Sequence, residues 1–155
     1  MNVFLGVVCI AFCVFLGYFF SYKYTDRKNF YVNFYNFNQK LKSEVNFTKR
    51  TLISMVKELE GKQDGFSKVI YAKIIDENEV IIKENYLTLD EKNSLYNYLD
   101  GLGNSDFYTQ LKILESIDGE LKDKKEKSII DEKRYKILYI KLGFLCGLAI
   151  LILLL

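Results

Sequence analysis

Apolar residues follow three regimes along this chain. Residues 1–22, MNVFLGVVCIAFCVFLGYFFSY, carry no charge. At about 1.5 Å per residue, such a helix is long enough for a bilayer core of roughly 30 Å. Residues 142–155, LGFLCGLAILILLL, are also uncharged and Leu-rich, and favour lipid on an insertion scale. Between them, apolar positions recur at helical spacing among charges. Both apolar ends therefore read as transmembrane helices. For the first, a cleaved signal peptide is the rival. It is disfavoured by the absence of a basic start and by Phe19, Phe20 and Tyr22, which stand where small residues should be. For the second, the rival is a buried core helix. There Lys141 can snorkel to the headgroups and let residues 135–140 extend the span into the interface.

In the central region, Phe30, Phe34, Phe37, Leu41 and Val45 line one face of a helix over residues 26–46. The face fits a bundle core better than an interfacial membrane helix. Leu52, Ile53, Val56 and Leu59 predict a second helix, which Gly61 can end in left-handed conformation, and Phe66, Ile70, Ile74 and Ile75 a third. The capping boxes Asp76-x-x-Glu79 and Thr88-x-x-Glu91 predict helices over residues 77–86 and 89–100. A strand over residues 74–82 is the alternative to the first of these, but it has no second strand to pair with. Gly101 and Gly103 stop the helix after Leu99. Ser105 and Asp106 then open another, Ser105 as a cap and Asp106 as negative charge at the positive helix end. No Pro interrupts the chain beyond this point, and Phe107, Leu111, Leu114, Ile117 or Asp118, and Leu121 continue a core-facing stripe.

The fold class expected is all-α: an antiparallel helical bundle between an N-terminal and a C-terminal transmembrane helix. Its divisions are an anchor (1–22), a helical-bundle domain (23–121), a charged helical stalk or linker (122–134) and a second span (135–155). All 22 Lys/Arg and 20 Asp/Glu lie between positions 23 and 141. Lys23, Arg27 and Lys28 flank the first span, and Lys133, Arg134, Lys136 and Lys141 the second. The positive-inside rule then puts the central region in the cytoplasm and both chain ends outside. Tyr18, Tyr22 and Tyr24 would sit at the membrane interface.

Candidate chemistry is sparse. A net charge of +2 and the lack of a basic stripe interleaved with base-stacking aromatics argue against nucleic acid. With no His, the commonest general base and metal ligand is missing. Cys9, Cys13 and Cys146 lie in the apolar segments and form neither a zinc set nor a disulfide framework. Asp90/Glu91 and Asp131/Glu132 are adjacent pairs that diverge on a helix. No catalytic, cofactor or metal residue is assigned, and no enzymatic activity is expected. Gly143 and Gly147 meet the small-xxx-small pattern for close helix approach in lipid, a possible self-association face.

The run YLDGLGNSDFYTQLKIL, residues 98–114, and the ending YKILYIKLGFLCGLAILILLL, residues 135–155, resemble the stage III sporulation protein AB family. The family's Leu-Gly-x-Ser-Asp-x-x-x-Gln signature is matched by Leu102, Gly103, Ser105, Asp106 and Gln110. Lys141, Leu142, Gly143 and Gly147 are similar to its C-terminal anchor, Tyr24-Thr-Asp-Arg27 to its entry after the first span, and Glu44-Val45 to an acid-aliphatic step. Thr51-Leu52 departs from the Pro-Leu common at the start of the family's second helix, which bears on the first helix–helix corner.

The resemblance implies a membrane platform or scaffold subunit of the sporulation channel between mother cell and forespore. Its soluble part would be similar to the cytoplasmic domain of type II secretion and type IV pilus platform proteins. The implied partners are a secretion-type ATPase, other channel subunits and a second copy of the chain, with the signature residues as possible contacts. For Ser105 and Asp106, helix capping is the plainer role. A small membrane-permeabilising, holin-like protein and another membrane-tethered helical binding module are the alternatives. The first is disfavoured by the long folded insert between the spans.

Overall fold

The computed structural model describes residues 2–47, 52–62, 64–75, 85–102 and 107–154. Six helices follow one another among the described residues: α1 (Asn2–Phe47), α2 (Leu52–Lys57), α3 (Gly65–Ile74), α4 (Leu89–Gly101), α5 (Phe107–Ser116) and α6 (Asp118–Leu154). There is no strand among the described residues. The helix expected over residues 77–86 falls largely on residues 76–84, outside the described ones.

The chain divides into two compact units. One comprises Met1–Thr25 with Lys127–Leu155, the other Asp26–Glu126. The first contains the apolar parts of α1 and α6. Each of these helices is long and apolar enough to cross a membrane, yet only 17% and 6% of their most apolar stretches are buried within the chain. A core helix of the same composition would bury most of such a stretch. Phe12, Phe15, Phe19, Leu142, Phe144 and Leu145 are instead turned outward.

The second unit is a helical bundle with one apolar core, and the stripe read from α1 forms its spine. Phe30, Phe34, Phe37 and Leu41 are all buried; the side chain of Val45 lies outside what the structure describes. Val56 comes from α2, Phe66, Val69 and Ile70 from α3, Leu95, Tyr98 and Leu99 from α4, and Leu114 from α5. Phe66 is the centre of an aromatic cluster. Its ring stacks on Phe34 at 4.7 Å, meets Phe30 edge-on at 5.8 Å and lies 5.6 Å from Phe37. Aromatic pairs in such geometries add to the stabilisation that burial of their area already gives.

Four boundaries reflect the local sequence. α1 does not stop where its composition changes near residue 23. Nothing there breaks a helix, since neither Pro nor Gly occurs between Gly17 and Gly61. Thr88 and Glu91 form the expected capping box, Thr88 accepting from the Glu91 amide at 3.3 Å and Glu91 accepting from the Thr88 amide at 2.9 Å. The stripe through Leu114, Ile117 and Leu121 is interrupted once, between α5 and α6. At that point the Ser116 hydroxyl donates to the Ile113 carbonyl at 2.8 Å, a local bond that competes with the helical ladder. Gly61 takes φ +78°, the left-handed conformation expected of it after α2.

The charged segment 122–134 is helical, within α6. Part of it packs rather than being wetted on all sides: Lys124 and Lys125 lie over the rings of Tyr31 and Tyr35, at 5.9 and 3.8 Å.

Removing the hub of the aromatic cluster opens a large cavity. Phe66→Ala should therefore lower the unfolding free energy of the full chain in detergent by about 3–5 kcal/mol, read from denaturant titration of its helical signal.

Candidate membrane unit and signature region

Within the first unit, the two apolar helices run antiparallel and touch backbone to backbone. A Cβ placed on Gly17 would overlap the Tyr139 carbonyl oxygen, and one on Gly143 would lie 2.5 Å from that of Cys13. At Gly147 it would come within 2.7 Å of the Ile10 Cα, and at Gly6 it would meet the flexible end of the Leu151 side chain. Only hydrogen fits at Gly17, Gly143 and Gly147, so the helices approach as small-residue pairs do in lipid, where packing rather than hydrophobicity drives association. Gly143 and Gly147 thus face α1 of the same chain. A second copy could use that face only by displacing α1.

The contacts define a constant register. Gly6 meets Leu151, Ile10 meets Gly147, Cys13 and Val14 meet Gly143, and Gly17 meets Tyr139 and Ile140. Further along, the Thr25 hydroxyl donates to Glu132 Oε1 at 3.4 Å. Beside that bond the Tyr24 and Tyr135 rings stack at 4.4 Å, with Tyr139 tilted 6.1 Å from Tyr24. Lys136 lies 5.6 Å from the centre of the Tyr18 ring and 3.9 Å from Glu132. Tyrosines and cations thus gather at the end of the pair where apolar sequence gives way to charge, as at a membrane interface.

In the second unit, Arg27 is fixed by a forked pair with Glu91, at 2.5 and 3.1 Å, and donates to the Tyr86 carbonyl at 2.6 Å. The Glu91 carboxylate therefore serves the helix cap, Arg27 and the Tyr31 hydroxyl together. Burial alone would raise its pKa. The Thr88 amide, Tyr31 and Arg27 outweigh that and hold it below the ordinary carboxylate range. Burial, with the bond to Glu91, pushes the Tyr31 hydroxyl far up, so it stays protonated as a donor. Burial raises Asp26. Tyr24, Thr25 and Arg27, three members of the entry motif, thus each make a defined tertiary contact.

The signature region is placed in part. Leu102 is buried and caps α4, its amide donating to the Leu99 carbonyl at 3.3 Å. Gln110 on α5 is half-buried. Gly103, Ser105 and Asp106 lie outside the described residues, and with them the expected cap of α5. The rest of the run is divided between core and surface: Tyr98, Leu99 and Leu114 are buried, whereas Tyr108 is 80% exposed.

A residue that the periodicity passed over holds this region to α1. Asn38 is completely buried, donates to the Leu114 carbonyl at 3.2 Å and accepts from the Tyr98 hydroxyl at 3.3 Å. Its signal in the sequence was a polar residue on the apolar stripe, between Phe34 and Leu41 at steps of four and three. Gln39 and Asn38 also donate to Asp118, which Lys42 approaches at 3.8 Å. Asp118 thereby places negative charge at the start of α6, where the helix dipole favours it. No group of His, Cys, Asp and Glu that could hold a metal occurs among the described residues.

These features define an all-helical protein with two units, a helical bundle and two candidate membrane helices packed as an antiparallel pair. The family model for stage III sporulation protein AB matches residues 73–155, more than half of the chain, and the chain belongs to that family of sporulation proteins. No curated protein and no solved structure matches it.

The lowered Glu91 pKa fixes the sign of a pH effect. A depressed folded-state value gives stability that is present above the ordinary value of 4.5 and is lost as pH falls through the lower folded one. Glu91→Gln should cost about 2 kcal/mol near neutrality, through loss of charged hydrogen bonds. It should also flatten the loss of stability that the parent shows on acidification below about pH 5. Asp26 contributes with the opposite sign but equally in both proteins, so the difference between their pH profiles reports Glu91.

Proposed function

We propose that this chain is a membrane platform subunit of the channel complex built between mother cell and forespore. Both apolar helices span the mother-cell membrane around the forespore, with the helical unit 26–126 in the cytoplasm and both chain ends outside. That unit contacts a secretion-type ATPase and passes its movement to the parts of the complex in and across the membrane. The reading assigns no catalytic residue.

The observation that carries it is the separation of surfaces. The large outward side chains of the paired apolar stretches are Phe, Leu, Ile and Val with tyrosines toward one end, while the charged residues are confined to positions 23–141. Lys23, Arg27 and Lys28 beside one span, and Lys133, Arg134, Lys136 and Lys141 beside the other, support a cytoplasmic location for the bundle. Family membership supports the sporulation setting. The resemblance to platform proteins supports the ATPase contact, for which the exposed start of α5 at Tyr108 and Thr109, within the signature, is the first surface to examine.

Topology and partnership are separable by experiment. In a chain whose own cysteines are replaced, a thiol at the exposed Ser43 should react with an impermeant reagent only after the membrane is opened. A thiol at Leu153 should react from outside. In sporulating cells, crosslinking followed by purification should recover a secretion-type ATPase, and Tyr108→Ala should reduce that recovery with the helical content unchanged. Recovery of the chain with neither an ATPase nor a channel subunit would overturn the platform reading.

A further inference from the structure

The outward face of α6 over residues 127–141 differs in kind from the apolar face beyond it. All four charged residues exposed there are cations: Lys127, Lys133, Arg134 and Lys141. The carboxylates of the same stretch are turned toward α1, Glu132 bonding Thr25 and Lys136 while Asp131 lies in electrostatic reach of Tyr24. Lys127, Arg134 and Lys141 recur every seven residues, two helical turns, and so form one line along the helix. Ile130, Ile137 and Leu138 fill the turns between them and are 63%, 55% and 44% exposed. Asp123 and Glu126 bound the stretch in sequence.

The register of the pair makes the line unusual. Gly143 lies against Cys13 and Val14, and Tyr139 and Ile140 against Gly17, so Lys141 lies level with Phe15 and Leu16. The first charge on α1 is Lys23. At a rise of 1.5 Å per residue, Lys141 is thus displaced roughly 10 Å into the apolar band of α1, on the side facing away from it. A lysine at that depth snorkels its amine toward the headgroups, where an anionic group can meet it.

We propose that this face is a docking site for anionic phospholipid. The headgroup phosphates would lie level with Lys133 and Arg134, Lys127 reaching down to them and Lys141 up, with acyl chains lying against Ile137, Leu138 and the apolar face that follows. Alternation of cations with exposed aliphatic side chains suits a molecule that is both anionic and hydrophobic. The inference rests on the membrane-spanning reading above.

The chain lacks Trp, so the indole of Ile137→Trp is a single reporter on this face. The full chain is reconstituted in vesicles, and quenching by brominated phosphatidylglycerol is compared with quenching by brominated phosphatidylcholine. Phosphatidylglycerol should be favoured at this position by at least about fivefold at low salt. The preference should fall toward one in K127Q/K133Q/R134Q/K141Q, fall partway in R134Q/K141Q, and persist when the exposed Lys68 and Lys112 of the other unit are changed to Gln. Equal quenching in the parent, or a preference that survives the quadruple change, overturns the proposal and leaves the membrane reading standing. Quenching by neither lipid overturns both.

Discussion

Contact between two apolar helices without intervening side chains is the constraint on which the membrane unit depends. Gly17 and Gly143 each bring a backbone carbonyl of the opposite helix to a distance that no Cβ would permit, and Gly147 brings a Cα nearly as close. In lipid, where burying Leu against Leu gains little over burying it against acyl chains, such closeness supplies the packing that holds helices together. It also fixes how far one helix is slid along the other. The Tyr24–Tyr135 stack, the Thr25–Glu132 bond and the depth of Lys141 all follow from that single register.

Polar contacts specify the bundle unit more than they enlarge its core. Arg27, Glu91, Thr88 and Tyr31 form a connected set in which one carboxylate caps the start of a helix and holds another element in place. Asn38 does the same from inside the core, joining α1 to both α4 and α5. Burial keeps the Tyr98 hydroxyl protonated and hence able to donate to it. Groups like these stabilise modestly when satisfied and cost more when a partner is removed, so they favour one arrangement of helices over near alternatives.

Much of this was legible in the sequence because it repeats. The aromatic stripe of α1 and the Thr88–Glu91 box are periodic or fixed-spacing signals, and the structure contains both. The limits of α1 were less legible, since a change of composition at residue 23 is not a change of conformation. Gly143 and Gly147 announced a close approach but not its partner: spacing reveals that a helix face is narrow, and only the fold shows that Cys13, Val14 and Ile10 fill it. Asn38 and Tyr31 were passed over because a polar atom in an apolar stripe gains meaning only from what stands opposite. Of the signature, Leu102 and Gln110 are placed, whereas Gly103, Ser105 and Asp106 lie outside the described residues.

The central claim is that both apolar helices lie in the hydrocarbon while the bundle does not. Single indoles introduced by Phe12→Trp on α1, Phe144→Trp on α6 and Tyr108→Trp on the bundle, at positions 61%, 48% and 80% exposed, test it in reconstituted vesicles. Lipids brominated deep in their acyl chains should quench the first two and leave the third unaffected. Fluorescence at either phenylalanine position as insensitive as that at Tyr108 would contradict the account.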